Sequence, residues 1–140
     1  MKFDAAIHKC VIVVDKALEL GHAANAISVI GVSFGGAIEG LVGPDLHSRD
    51  GINYPGVIYA PLPILVSDNA LLHSLQEKAL ADEGVHVMPF SALAQSCKTY
   101  EEYESRIAEA DSPAIELVAI GLVGPKKLIS KLTGNLALFK

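Results

Sequence analysis

The run Lys9-Cys10-Val11-Ile12-Val13-Val14-Asp15 decides the fold, together with the segment His22-Ala23-Ala24-Asn25-Ala26-Ile27-Ser28-Val29-Ile30-Gly31-Val32-Ser33-Phe34-Gly35-Gly36-Ala37-Ile38 that follows it. The first run is continuously apolar and β-branched rather than alternating, the pattern of a strand buried on both faces. The second has no charged side chain between Glu19 and Glu39. Chain this apolar must be covered over most of its surface, so the remainder is expected to be built around it. Ile27, Ile30, Phe34 and Ile38 recur at helical spacing, which predicts a helix from about His22 to Ile38. The opposite stripe holds His22, Asn25, Val29, Ser33 and Gly36. Gly31, Gly35 and Gly36 each cost a helix roughly 1 kcal/mol against Ala, a cost that points to another backbone packed closely on them.

Working outward, Gly43 to Pro61 is dense in Pro, Gly, Asp and Asn, and reads as a loop-rich part without long regular structure. Pro63 to Val66 is a second short strand. Ser67 or Asp68 then caps a helix running to about Glu83, with Leu71, Leu72, Leu75 and Leu80 inward. Gly84 ends it, and Val85 to Phe90 is a third strand. Thr99 with Glu102 forms a capping box for a charged helix from about Tyr100 to Ala110. Ala114 to Gly121 is a fourth strand, and Gly124-Pro125 opens a last helix from Lys126 to Leu132. Strands alternating with helices predict one α/β domain over residues 1–140: three layers, α/β/α, on a mixed sheet of about four strands.

Composition bounds the function. The chain is 51% hydrophobic and 19% charged, apolar enough to suggest a self-associating surface and hence a homodimer. No uninterrupted apolar run reaches the roughly 18 residues that span a bilayer, and the N-terminus lacks a signal-peptide core, so no membrane partner and a cytoplasmic location are expected. A net charge of −5 makes a poor surface for nucleic acid. Cys10 and Cys97 have no framework or metal-ligand spacing; Cys10 reads as a buried strand residue and Cys97 as incidental. No metal and no cofactor is implied.

One short motif competes for Ser33. Gly31-Val32-Ser33-Phe34-Gly35 fits G-x-S-x-G, the nucleophile elbow of serine hydrolases, with Asp68 as orienting acid and His73 or His86 as base. Too few elements precede it for that fold, and no loop before it offers an oxyanion donor. Small residues on a buried helix produce the same string by chance.

The C-terminal segment Ala119-Ile-Gly-Leu-Val-Gly-Pro-Lys-Lys-Leu-Ile-Ser-Lys-Leu-Thr-Gly-Asn-Leu-Ala-Leu138 closely resembles the end of type 2 peptidyl-tRNA hydrolases: strand, Gly-Pro turn, Lys-bearing helix, then Thr-Gly-x-Leu. Val11 to Val14, Leu18-Glu-Leu-Gly21 and Pro63 to Phe90 fit the same plan. The whole chain resembles the domain-of-unknown-function 2000 family, through its Asn25 helix, its Tyr-Pro-Gly and Pro-Leu-Pro-Ile-Leu runs (residues 54–65), its Tyr100-to-Tyr103 helix and Gly124-Pro-Lys-Lys127. The resemblance implies a peptidyl-tRNA hydrolase-like fold. Where those hydrolases carry lysines at the start of the first helix, this chain has His22 and Ala24, and where they carry an Asp it has Pro89 to Ala92. Lys131 and Thr133 do match. Hydrolysis of the peptidyl ester on tRNA is therefore the alternative activity, and tRNA is not expected as a partner.

Open α/β sheets bind ligands outside the C-terminal ends of their strands, and a helix start offers free N–H groups. That places a candidate site for a small or anionic ligand at His22 and Asn25, with Ser33 deeper on the same face. The loop carrying His47, Arg49 and Asp50 is expected to fold over it. His22, as an imidazole, is a candidate acid, base or ligand, and Lys131 and Thr133 are added by the resemblance. His8, His73 and His86 read as structural or exposed.

Overall fold

The computed structural model describes all of residues 1–140. The elements in chain order are β1 (His8–Asp15), α1 (Leu20–Ala37), β2 (Leu46–His47), β3 (Asn53–Tyr54), β4 (Ile64–Ser67), α2 (Asn69–Leu80), β5 (His86–Ser91), α3 (Ala92–Ser96), α4 (Tyr100–Ala108), a 3₁₀ turn at Ser112–Ala114, β6 (Leu117–Pro125), α5 (Lys126–Thr133) and β7 (Ala137–Leu138). Five strands form one mixed sheet in the order β5-β6-β1-β4-β7. β1 and β4 are parallel, whereas β6 runs antiparallel to both β1 and β5, and β7 antiparallel to β4.

β1 is the centre of the sheet because both of its faces can be buried. Cys10, Ile12 and Val14 meet Ala23, Ala26, Ile30 and Phe34 of α1 on one side. Val11 and Val13 meet Leu72, Leu75 and Ala79 of α2 and Ile129 of α5 on the other. Alternation along a strand sends successive side chains to opposite faces, so one uninterrupted apolar run feeds two cores.

The sheet has five strands where four were expected. The addition is β7, whose two residues pair Leu65↔Leu138 and Val66↔Ala137 at one edge; a pair that short leaves no periodicity to read. β6 runs from Leu117 rather than Ala114, because Pro113 sits in the 3₁₀ turn before it. The loop between α1 and β4 is not wholly irregular, since β2 and β3 pair into a ribbon. Gly51 turns its tip at φ +91°, a backbone state that glycine adopts without strain. In α2, Leu80 is exposed and Ala79 takes the inward position, as helical spacing from Leu72 and Leu75 dictates.

The glycines of α1 are a further correction. A Cβ at Gly31 or Gly36 would meet nothing within 4 Å, and one at Gly35 would only touch Val42. The close approach lies in β6 instead. A Cβ on Gly121 would stand 2.5 Å from Cγ2 of Ile30 and nearer still to Cζ of Phe34. Gly121 is the notch into which α1 settles. Gly121→Ala should therefore destabilise the protein by about 1–3 kcal/mol, the usual cost of overpacking a filled core. Urea unfolding checks this, and adding Phe34→Leu should return part of the loss.

Candidate functional site

β1, β4 and β5 point the same way, so Asp15, Ser67 and Ser91 lie at one end of the sheet. This end is tied rather than open. The Asp15 carboxylate accepts the Ala17 N–H at 2.9 Å and the Asn69 amide at 3.1 Å, and the same Asn69 nitrogen donates to the Leu117 carbonyl at 2.7 Å. One asparagine thus joins the ends of β1, α2 and β6.

Directly after β5, Ser91 accepts the Ala94 N–H at 3.1 Å and starts the short α3. Gln95 on α3 reaches α1, donating to the His22 carbonyl at 3.0 Å and to Oδ1 of Asn25 at 3.1 Å. The part of His22 that is engaged is its backbone carbonyl, and the residue itself is exposed. Asn25 is held by a side chain from the stretch after β5, a partner that its own helix gives no hint of.

Beyond this suture, α1 and the α3–α4 segment part to leave a groove of about 510 Å³ over β5. Val29 and Ser33 form one wall, Met88 and Phe90 the floor, and Tyr100 and Tyr103 part of the other wall. The two tyrosine rings meet edge to face with centroids 5.9 Å apart. Lys98 is the one charged residue of the lining. The Ser33 hydroxyl is half-buried there and makes no hydrogen bond to another protein group, whereas Ser28 on the same helix bonds back to the Ala24 carbonyl at 2.8 Å. Cys97 also lines the groove; its thiol donates to the Leu93 carbonyl at 3.2 Å and lies 3.7 Å from the Arg106 guanidinium.

Of the residues expected at the site, the structure gathers His22, Asn25 and Ser33 along one side of α1, and leaves the others elsewhere. His47, Arg49 and Asp50 are exposed on the ribbon. The side-chain bonds of that ribbon stay within it, from Ser48 to Asp50, and from Asn53 and Gly56 to Asp45. Lys131 is exposed and Thr133 is buried on α5, which packs on the sheet face opposite α1. The Thr133 hydroxyl donates to the Ile129 carbonyl at 2.8 Å, satisfying a helix turn. The G-x-S-x-G string lies wholly inside α1, an 18-residue helix, and so is no strand-to-helix elbow. Asp68 caps α2 by accepting the Leu71 N–H, so it orients no histidine at Ser33. Gln95, Tyr100, Tyr103 and Lys98 were missed; the Ser91 cap before Ala92-Leu-Ala-Gln was the one available signal for α3.

A model of proteins of unknown function, DUF2000, matches residues 8–140. The chain belongs to the DUF2000 family. No curated protein matches it. A solved structure of a protein of unknown function from Agrobacterium tumefaciens strain C58 is similar to it with a TM-score of 0.78 at 14% identity, over 95% of this chain and 98% of that one. At that identity the likeness shows a shared fold. No helix of the DUF2000 chain is long and apolar enough to cross a membrane.

His86, on β5 beside the groove floor, packs edge to face on Phe34 with ring centroids 6.2 Å apart. Burial lowers its pKa from the ordinary imidazole value, and the terminal ammonium adds to this. The unfolded chain then takes up a proton before the folded one does. Stability should accordingly be flat above the unfolded pKa of about 6.5 and fall as pH drops through it. Thermal melts between pH 8 and 5 should show this fall, and His86→Gln should remove its share of the slope.

Proposed function

We propose that this protein binds a small molecule in the groove between α1, β5 and α4, on a scaffold of the type 2 peptidyl-tRNA hydrolase kind. The observation that carries the reading is the lining: an apolar floor and aromatic wall around a Ser33 hydroxyl with no protein partner. Ligand sites are concave, mostly apolar and furnished with few oriented polar groups, within roughly 300–1,000 Å³. Val29, Met88, Phe90 and the two tyrosines suit an apolar body. Ser33 and Lys98 offer a hydroxyl and a cation to its polar end.

Ester hydrolysis on tRNA is the weaker reading. His22, Ala24 and the acid-free stretch Pro89 to Ala92 stand where the resemblance implies lysines and an aspartate, and a net charge of −5 opposes a phosphate backbone. Fold alone carries no activity. We place the protein in the cytoplasm, where free thiols such as Cys10 and Cys97 persist.

The neutral fluorophore N-phenyl-1-naphthylamine tests the groove. Its emission should rise on binding at one site per chain. Val29→Arg should abolish the rise without lowering the melting temperature by more than a few degrees. An undiminished rise in that variant would remove the reading.

A homodimer through the outer side of α1 accords with Val32, 78% exposed, beside Gly31 and Gly36, whose missing side chains leave open space. Light scattering after size exclusion should give twice the chain mass, and Val32→Glu should halve it. A wild-type mass of one chain overturns this.

A further inference from the structure

The opposite end of the sheet, where β1 begins and α5 starts, holds a separate cavity of about 330 Å³. We propose that this cavity is a binding site for a small dianion, inorganic phosphate or a phosphate monoester. His8, Lys9, Lys126, Tyr59, Pro61 and Pro63 line it, and no Asp or Glu does. It shares no lining residue with the groove over β5, so it stands independently of that reading.

The cavity exists because the sheet is interrupted there. Pairing of β1 with β4 begins only at Ile12↔Ile64. Pro61 and Pro63 carry no N–H with which to continue the ladder; before Ile64 the segment is held to β1 through carbonyls alone, Pro63 accepting the Ile12 N–H at 3.1 Å and Pro61 the Cys10 thiol at 3.5 Å. Three nitrogen donors border the gap, two from β1 (His8 and Lys9) and one from α5 (Lys126). The His8 ring accepts the Asp4 N–H at Nδ1, 2.9 Å away, so the neutral ring carries its proton on Nε2 as a donor. Lys9 bonds only the neutral Ser130 hydroxyl, at 3.3 Å. Lys126 is the first residue of α5; its backbone N–H donates to the Ile7 carbonyl at 3.0 Å, so what it brings to the cavity is its side-chain ammonium.

Charge makes the arrangement selective. The chain has 16 acidic residues against 11 basic ones, yet the one ion pair in the molecule joins Arg106 to Glu102. Neither Lys9 nor Lys126 has a carboxylate partner. Asp4, the acid next to the cavity in sequence, accepts the Ala6 N–H at 2.9 Å. Two uncompensated ammonium groups and an imidazole N–H match a doubly charged tetrahedral anion better than a single carboxylate. The Tyr59 ring and the two proline rings provide an apolar wall for the organic part of a monoester.

The test is a titration of the ¹⁵N-labelled full chain with inorganic phosphate and with phenyl phosphate, at matched ionic strength. Amide shifts at residues 8–9, 59–64 and 126–128 should saturate together. Lys126→Glu should weaken binding at least tenfold, as should the milder Lys9→Gln, while Lys98→Glu at the groove leaves it unchanged. Tighter binding of phenyl phosphate assigns a monoester, and equal binding assigns free phosphate. Shifts that fail to saturate, that scatter over all surface lysines, or that survive Lys126→Glu overturn the site.

Discussion

The seating of α1 in the hollow left by Gly121 is the contact on which the rest of the structure depends. Phe34 and Ile30 are fully buried there, and each such side chain gains about 1.5–3 kcal/mol on leaving water. Because β6 has no side chain at that position, the helix lies close to the sheet. Its apolar stripe covers Cys10, Ile12 and Val14 from one side. The stripe of Asn25, Val29 and Ser33 is then left turned toward β5. The groove is a consequence of how deeply the helix sits.

The second constraint is the polar tie at the far end of β1. Asp15 and Asn69 use their hydrogen-bonding capacity on the backbone of the turn after β1 and the start of β6. Buried or half-buried polar groups used in this way fix register rather than bind ligands. This shifts the open surface away from the helix start, where strand topology alone would put a ligand, and along α1 to the gap beside α3 and α4. Gln95 completes the shift by occupying Asn25.

Much of the fold was legible because it rests on local periodicity. The run Val11 to Val14 declares a strand buried on both faces, and Ile30 with Phe34 declares the inner side of α1. The sheet's fifth strand was not legible, since a two-residue pairing has no period and exists only through its partner Leu65. The role of glycine was misplaced for a related reason. Composition shows that Gly31, Gly35 and Gly36 weaken a helix, but whether a backbone lies against them is a property of the packed molecule, and it is Gly121 that is crowded. At the candidate site, Asn25 and Ser33 could be chosen from helical spacing, whereas Tyr100, Tyr103 and Lys98 sit some seventy residues away in sequence and meet them only through the β5–α3 turn. The loop of His47, Arg49 and Asp50 was drawn toward the site by its polarity, yet its polar groups satisfy one another within the ribbon.

The two cavities follow from opposite failures of the same sheet. At β5 the edge strand is complete, and the void arises above it because α3 is too short to fill the space between α1 and α4. At the start of β1 the void arises within the sheet plane, because prolines at positions 61 and 63 end the ladder early. The first is lined by what the core would have buried, hence its aromatic and aliphatic character. The second is lined by residues that had expected solvent, hence its lysines and histidine. Asp15, Asp45, Asp68 and Asp82 each accept a backbone N–H, so these carboxylates hold turns and helix starts, while the lining of the cavity at the start of β1 holds no acid at all.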